Sequence, residues 1–410
     1  MAKLRKRGGD RREETGDRQE GSDRRDSLFK FHRVGVLSCK NNILFGATLP
    51  QLLGILIRNR KYVEWFKYGV RICCLLMFAI FNTILSVLES IRHKFAISQV
   101  QLNDEPIFVI GHPRTGTTLV HNVLSSDARF SFATNLQVGF PSTFILMSNF
   151  QWLLSFFVDK KRPMDNMELS LDLPGEDEIA TTLLSGGCSA YMPLFFMSQY
   201  KTYLDLLNLN TTKERLDTWT ASFLFFLKKI TYWNDRSLAK QSAHRRLIIK
   251  SPVHTSRIPT LLRLFPKAKF IFCYRDPYTV VQSAVHMAQS YYWYTYLNEP
   301  SDADISDFVL DQMEIIYREY FKHRNLIPKG NLVEIKFEEM ENDIIKTMES
   351  IYDQFSLGDI KNLTESAMFK KYREGMTDFK KNSLSRLNEE QKEAVKKRFA
   401  FIFETLNYQM

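Results

Sequence analysis

Cysteine is scarce in this chain. Its 410 residues hold five, Cys39, Cys73, Cys74, Cys188 and Cys273, with no Cys-x-x-Cys pair, and the eight histidines form no cluster at ligand spacing. An odd, unpatterned set of thiols excludes a disulfide framework and a zinc centre as the organising device of the fold. Residues 1–27 show no signal-peptide pattern, because the charged stretch is far too long and no apolar segment follows it directly. No internal repeat is visible.

Bulk and positive charge are what the sequence does have. Hydrophobic residues make up 44% and aromatics 13%, enough for one large core or two modest ones, and 56 Lys and Arg against 46 Asp and Glu leave a formal charge of +10. That balance favours polyanionic partners and does not choose between nucleic acid, anionic lipid and a phosphate-rich cosubstrate. Residues 1–27 mix dense opposite charges with Gly and carry no apolar period, so they read as a disordered tail.

The next segment, 28–100, reads as membrane-associated. An apolar stretch over 42–57 is broken by Pro50, a basic aromatic belt (RNRKYVEWFKYGVR) runs from Arg58 to Arg71, and an uncharged run fills Ile72 to Leu88. Such a belt suits a headgroup layer, and the run is at the short end of the roughly 17 to 25 residues a spanning helix needs. It could span once, with residues 1–70 on the cytoplasmic side, or lie half-buried. The bland alternative is a core helix with Asn82, Thr83 and Ser86 at a packing seam. The membrane segment is therefore expected within 42–90, and the compartment, endomembrane (Golgi) or cytoplasmic face, stays open.

From residue 101 to 410 the texture alternates. Short apolar runs at Ile107–Ile110, Leu247–Ile249, Lys269–Tyr274 and Leu332–Phe337 are separated by helical patterns, which predicts right-handed βαβ crossovers and a mostly parallel sheet covered on both faces. The stretch from about 130 to 246 reads as a helical, aromatic insertion that builds an acceptor pocket.

The segment PIFVIGHPRTGTTLVHNVL, Pro106 to Leu124, places Gly111 and Gly116 around a loop between a strand and a helix. Such loops aim backbone N–H groups and the positive helix end at an oxyanion. The spacing is that of a Walker A loop, yet Thr117 and Thr118 follow Gly116 where that loop has its Lys, and Arg114 lies inside instead. No convincing acidic residue closes a later strand to hold magnesium, so side-chain cations must neutralise the ligand.

The loop HPRTGTT resembles the 5′-phosphosulfate loop of the sulfotransferase superfamily, in the membrane-linked and bacterial branch that carries Pro-Arg-Ser-Gly-Thr-Thr; Thr115 keeps the hydroxyl of the usual Ser. RDPYTVVQS resembles the family's 3′-phosphate motif, with Arg275 and Ser283 as its anchors. YREGMTDF is similar to the C-terminal loop that closes over the donor, with Arg373 retained and Glu374 in place of a Lys. RRLIIKSPVHTSRI resembles the catalytic strand, giving Lys250 and, four residues later, His254. PGEDEIA and KKRPMDNM (160–167) also resemble signatures of this branch.

The resemblance implies a P-loop-like three-layer fold with a helical insertion and N-terminal apolar helices. It also implies a sulfuryl donor, 3′-phosphoadenosine 5′-phosphosulfate, with no metal and no nucleic acid, and a hydroxyl or amine acceptor on a small molecule, lipid or glycan. Arg114, Thr115, Gly116, Thr117, Thr118, Arg275, Ser283 and Arg373 are expected to bind the donor. Arg114 and Lys250 are expected to meet developing charge and His254 to take the acceptor proton, with Glu176 and Asp177 as alternative bases or as groups that orient His254. A magnesium-dependent phosphotransferase and a membrane scaffold without turnover are the competing readings.

Overall fold

A computed structural model describes residues 27–33, 41–154, 159, 161–162, 164–236, 245–377 and 384–410. The charged stretch 1–26 and Cys39 lie outside the described residues.

Five parallel strands form one sheet: β1 (Ile107–Ile110), β2 (Phe130–Phe132), β3 (Arg246–Lys250), β4 (Lys269–Tyr274) and β5 (Leu332–Lys336), in the order β2-β3-β1-β4-β5. β2 is the strand the sequence does not announce, three residues in an edge position where only one neighbour sets the register, Phe130 opposite Arg246. The pleat sorts the side chains by alternation. Ile107 and Val109 pack with Val120 and Val123 of helix α3 (Thr117–Leu124), whereas Phe108 and Ile110 join Val280 and Val281 of the helix Pro277–Ser290 on the opposite face. Helices thus cover both faces of a three-layer α/β fold. β1 and β4 are neighbours whose following helices leave to opposite faces, and such a switch opens a crevice at the carboxyl ends of the two strands.

Pro50 opens a helix where the sequence suggests a break. It stands in the first turn of α1 (Leu49–Arg58), where its missing N–H has no helical acceptor to lose. Helix α2 runs from Gly69 to Ser98, thirty residues, overrunning the uncharged run at both ends. It lies along α1 and the helix Lys213–Asn234, and Leu52, Ile55, Leu75 and Ala79 enter the same core as Phe108 and Ile110. Asn82 is fully buried and donates to the carbonyls of Phe45 (2.7 Å) and Ala47 (3.0 Å). Thr83 accepts from the Leu49 N–H at 2.8 Å. Two of the three polar residues noted in the sequence therefore do stand at a packing seam.

Candidate active site

The loop after β1 folds tightly because two glycines permit it. Gly111 (φ 145°) and Gly116 (φ 91°) lie in the left-handed region, and a Cβ would meet the Cys273 carbonyl at 2.4 Å in the first case and the Phe337 ring at 2.5 Å in the second. Between them Arg114 holds φ at 78°, a conformation that stores on the order of 1–3 kcal/mol of strain in a non-glycine residue. The Thr115 hydroxyl donates to His112 O at 2.8 Å, and Gly111 N–H donates to Thr255 Oγ1 at 2.7 Å, tying the loop to the segment after β3. Thr117 and Thr118 begin α3, where first-turn N–H groups lack helical acceptors.

Across the crevice, Asp276 caps the helix Pro277–Ser290 by accepting from Thr279 N at 2.8 Å. Arg275, just past β4, stacks 4.1 Å from the centre of the Phe337 ring and makes no ion pair among the described residues. Burial lowers its guanidinium pKa; the Glu338 and Glu341 carboxylates work against that, and the neighbouring Arg114 charge adds to the lowering. The two motifs touch: Arg114 Nε donates to Ser283 Oγ at 2.9 Å.

Arg114 also pairs through Nη1 with Asp165 at 2.8 Å, and Arg162 approaches the other Asp165 oxygen at 3.5 Å and Thr118 Oγ1 at 3.5 Å. Burial alone would raise the Asp165 carboxyl; Arg162 and Arg114 outweigh it and hold the group below its ordinary value. The sequence contains this pair in KKRPMDNM but offers no reason to single out Arg162 and Asp165, since their importance depends on contacts across more than forty positions.

Lys250 ends β3 with its side chain only 3% exposed. Its ammonium donates to Glu176 Oε1 at 2.6 Å and to Thr118 Oγ1 at 3.3 Å. Burial lowers the Lys250 pKa, and Glu176 works against that. The Glu176 side chain is 24% exposed, and Tyr191 donates to its Oε2. Burial would raise this carboxyl as well, but Lys250 and the Tyr191 hydrogen bond bring it below its usual range.

The next two acids turn inward. Asp177 accepts from Ser251 at 2.9 Å and pairs with His254 Nε2 at 2.7 Å. Glu178 accepts from Arg257 twice, at 2.6 and 3.0 Å, and from Trp219 Nε1 at 3.1 Å. Three consecutive acids thus engage Lys250, His254 and Arg257 in order, zipping the helix Asp177–Leu184 to the segment after β3. His254 is fully buried, with Phe108, Trp219 and Phe223 set edge-on around it. Its other ring nitrogen, Nδ1, has no partner among the described residues.

Arg373 lies exposed on the helix Ala367–Thr377, and residues 378–379 of its motif fall outside the described residues. Tyr372 beside it is half-buried near Arg162 and Asp165, with its phenol pushed up to about 12 by burial. Among the described residues no group of three or more His, Cys, Asp or Glu could hold a metal ion. A cavity of about 400 Å³ at the β2 edge, lined by Phe130, Gln137, Trp233 and Arg245, shares none of these residues.

Known proteins resemble the chain over most of its length. A mycobacterial protein named omega-hydroxy-beta-dihydromenaquinone-9 sulfotransferase Stf3, from Mycobacterium bovis and Mycobacterium tuberculosis, is 30% identical over 366 residues, 88% of this chain and 90% of its own length. The crystal structures of sulfotransferase STF1 from M. tuberculosis (18% identity, TM-score 0.58, covering 90% of this chain and 95% of that one) and STF9 from Mycobacterium avium (15%, 0.60, 89% and 98%) share the fold. The model of the sulfotransferase family matches residues 106–359, the span holding both loops, the zipped acids and Lys250, and the chain accordingly belongs to that family.

Proposed function

We propose that this sulfotransferase takes its sulfuryl group from 3′-phosphoadenosine 5′-phosphosulfate and delivers it to a hydroxyl on an apolar, lipid-like acceptor. One observation carries the donor assignment: Arg114 of the first loop hydrogen-bonds Ser283 of the second motif, so two cationic cradles face one crevice. The residues suit such a donor. The glycines let the first loop close against Cys273 and Phe337 in the left-handed conformation that turns its backbone toward the crevice, and Arg275 makes no ion pair within 4 Å among the described residues, with Glu338 and Glu341 only partly offsetting its charge.

In this reading the loop Arg114–Thr118 and Lys250 hold the 5′ end, and Arg275 with Ser283 holds the 3′-phosphate. Arg373 sits on the segment assigned to closure. Bound donor supplies an electrophilic sulfur with a phosphate leaving group. Fixed N–H donors and guanidinium or ammonium groups stabilise charge developing on that phosphate, by analogy with phosphoryl transfer.

Glu176 is assigned to the acceptor proton. It combines a carboxylate, access from the crevice and a partner, Lys250, that is shared with the loop. An oxyanion held by the loop competes with Glu176 for the Lys250 ammonium, and a carboxylate relieved of that partner is the stronger base. A loose transition state asks little of a base beyond position. Asp177 and His254, closed off beneath it, are assigned to holding Glu176 and Lys250 in register.

The acceptor class draws support from the relative whose name gives an omega-hydroxylated menaquinone, and from the apolar segment 42–90, proposed to keep the enzyme at a membrane. Transfer from radiolabelled donor tests the reaction, with adenosine 3′,5′-bisphosphate binding measured by calorimetry alongside. Magnesium-dependent turnover of ATP in place of transfer would overturn it.

A further inference from the structure

Helix α2 carries its polarity inside out. Its inner side buries Arg71, Asn82 and Glu89, while its outer side presents Met77, Ile80, Ile84, Leu88, Ile91 and Phe95 at helical spacing, with Ile91 80% and Phe95 79% exposed. At 1.5 Å per residue the apolar ridge from Met77 to Phe95 is about 27 Å long.

The inner residues are anchors to the body of the enzyme. Arg71 donates to the carbonyls of Tyr296 and Trp293 near one end. Glu89 pairs with the buried ammonium of Lys229 and accepts from Leu146 N–H at 3.0 Å further along. A helix crossing a bilayer away from the catalytic body would break these contacts, carrying Arg71 and Glu89 into hydrocarbon and leaving Lys229 buried without its partner, a heavy electrostatic penalty.

The rim identifies what covers the ridge. Arg60 and Lys61 are exposed before the helix, beside exposed Trp65 and Phe66, and Arg92 and Lys94 are exposed near its far end. From Arg58 to Ser98 the two acids present, Glu64 and Glu89, are both engaged, by Lys67 and Lys229. A second copy of this surface would set like charges face to face across a two-fold axis. An anionic headgroup layer over hydrocarbon matches the cations, the aromatics and the ridge together.

We propose that α2 lies in the plane of one leaflet of an anionic bilayer, with its outer face immersed and its inner face still bolted to the enzyme, and does not cross. This deepens the membrane reading above and does not depend on the transfer chemistry. The buried face stays tied to the body of the enzyme: Asn82 holds the turn Ile43–Gly46, and the Asn42 side chain beside that turn donates to the Tyr294 carbonyl.

Full-length protein synthesised cell-free with sealed vesicles of phosphatidylcholine and phosphatidylglycerol is floated on a density gradient, and separate samples carry Lys61→Cys or Lys94→Cys in a background with native thiols replaced by serine. The wild type is expected to float, and both cysteines to react with an impermeant maleimide added outside. Ile84→Gln, Leu88→Gln and Ile91→Gln together should lower the floated fraction about tenfold or more, with melting temperature and circular dichroism retained. Labelling at one end alone would show a crossing helix and overturn this inference while leaving the membrane reading standing. A wild type that stays at the bottom of the gradient, as monomer or as dimer, would overturn both.

Discussion

Lys250 donates to Glu176 at 2.6 Å although 74 positions separate them, and the same nitrogen reaches Thr118 of the phosphate loop at 3.3 Å. One buried ammonium therefore links Glu176 to the loop proposed to hold the donor. The coupling is electrostatic and local: what the loop binds changes what Glu176 feels.

Glu176→Gln keeps the shape and a partner for Tyr191 but removes the carboxylate proposed as the base. Turnover is expected to fall by about 10²- to 10⁴-fold with donor binding largely preserved, read from initial rates and calorimetric titration with adenosine 3′,5′-bisphosphate. Undiminished turnover would remove the proton-transfer role from this residue.

The pH dependence follows from the sign of the Glu176 shift. Its carboxyl in the donor-free folded protein lies below the ordinary value, so the acidic limb of kcat/KM should begin only below about pH 4.3, whereas the limb of kcat, read with donor bound and Lys250 drawn away, should lie at higher pH. The same shift adds stability that is fully present above the unfolded pKa and lost as pH falls through the folded one. Rate profiles and urea midpoints across pH 3 to 8 check both.

Arg114 and Arg275 are expected to fail differently. Arg275→Ala should raise the donor KM by about 10- to 100-fold with kcat nearly kept, the loss of one charge-assisted contact. Arg114→Ala should lower kcat by about 10²- to 10³-fold, roughly 3 kcal/mol of barrier. Steady-state kinetics with both substrates varied separates the two.

Glu178→Ala should show in stability. It would strand the fully buried Arg257 guanidinium, a loss of about 3–5 kcal/mol in chemical denaturation. A shift under about 1 kcal/mol would mean that water reaches Arg257.

Much of the fold was legible because it rests on local signals. Ile107–Ile110 and Lys269–Tyr274 are bounded apolar runs and become strands with those bounds, and the glycines at 111 and 116 mark a turn that no other residue fills. What escaped was non-local. Phe130–Phe132 is a strand because Arg246–Lys250 offers it an edge, and nothing within three residues announces that. Tyr191 carries no motif; it matters because the chain returns it to Glu176. The sequence offers Glu176 and Asp177 as alternative bases or as groups that orient His254; the fold pairs Asp177 with His254, and only the fold sets Glu176 against Lys250 and Glu178 against Arg257.

That correspondence has a consequence for how this protein can diverge. Glu176, Asp177 and Glu178 answer Lys250, His254 and Arg257 tooth by tooth, with a hydrophobic helix turn behind one row and a strand end behind the other. A single residue inserted or deleted inside either row would offer each carboxylate the wrong counterpart. Both rows are therefore expected to keep their length among descendants of this gene, varying together or not at all.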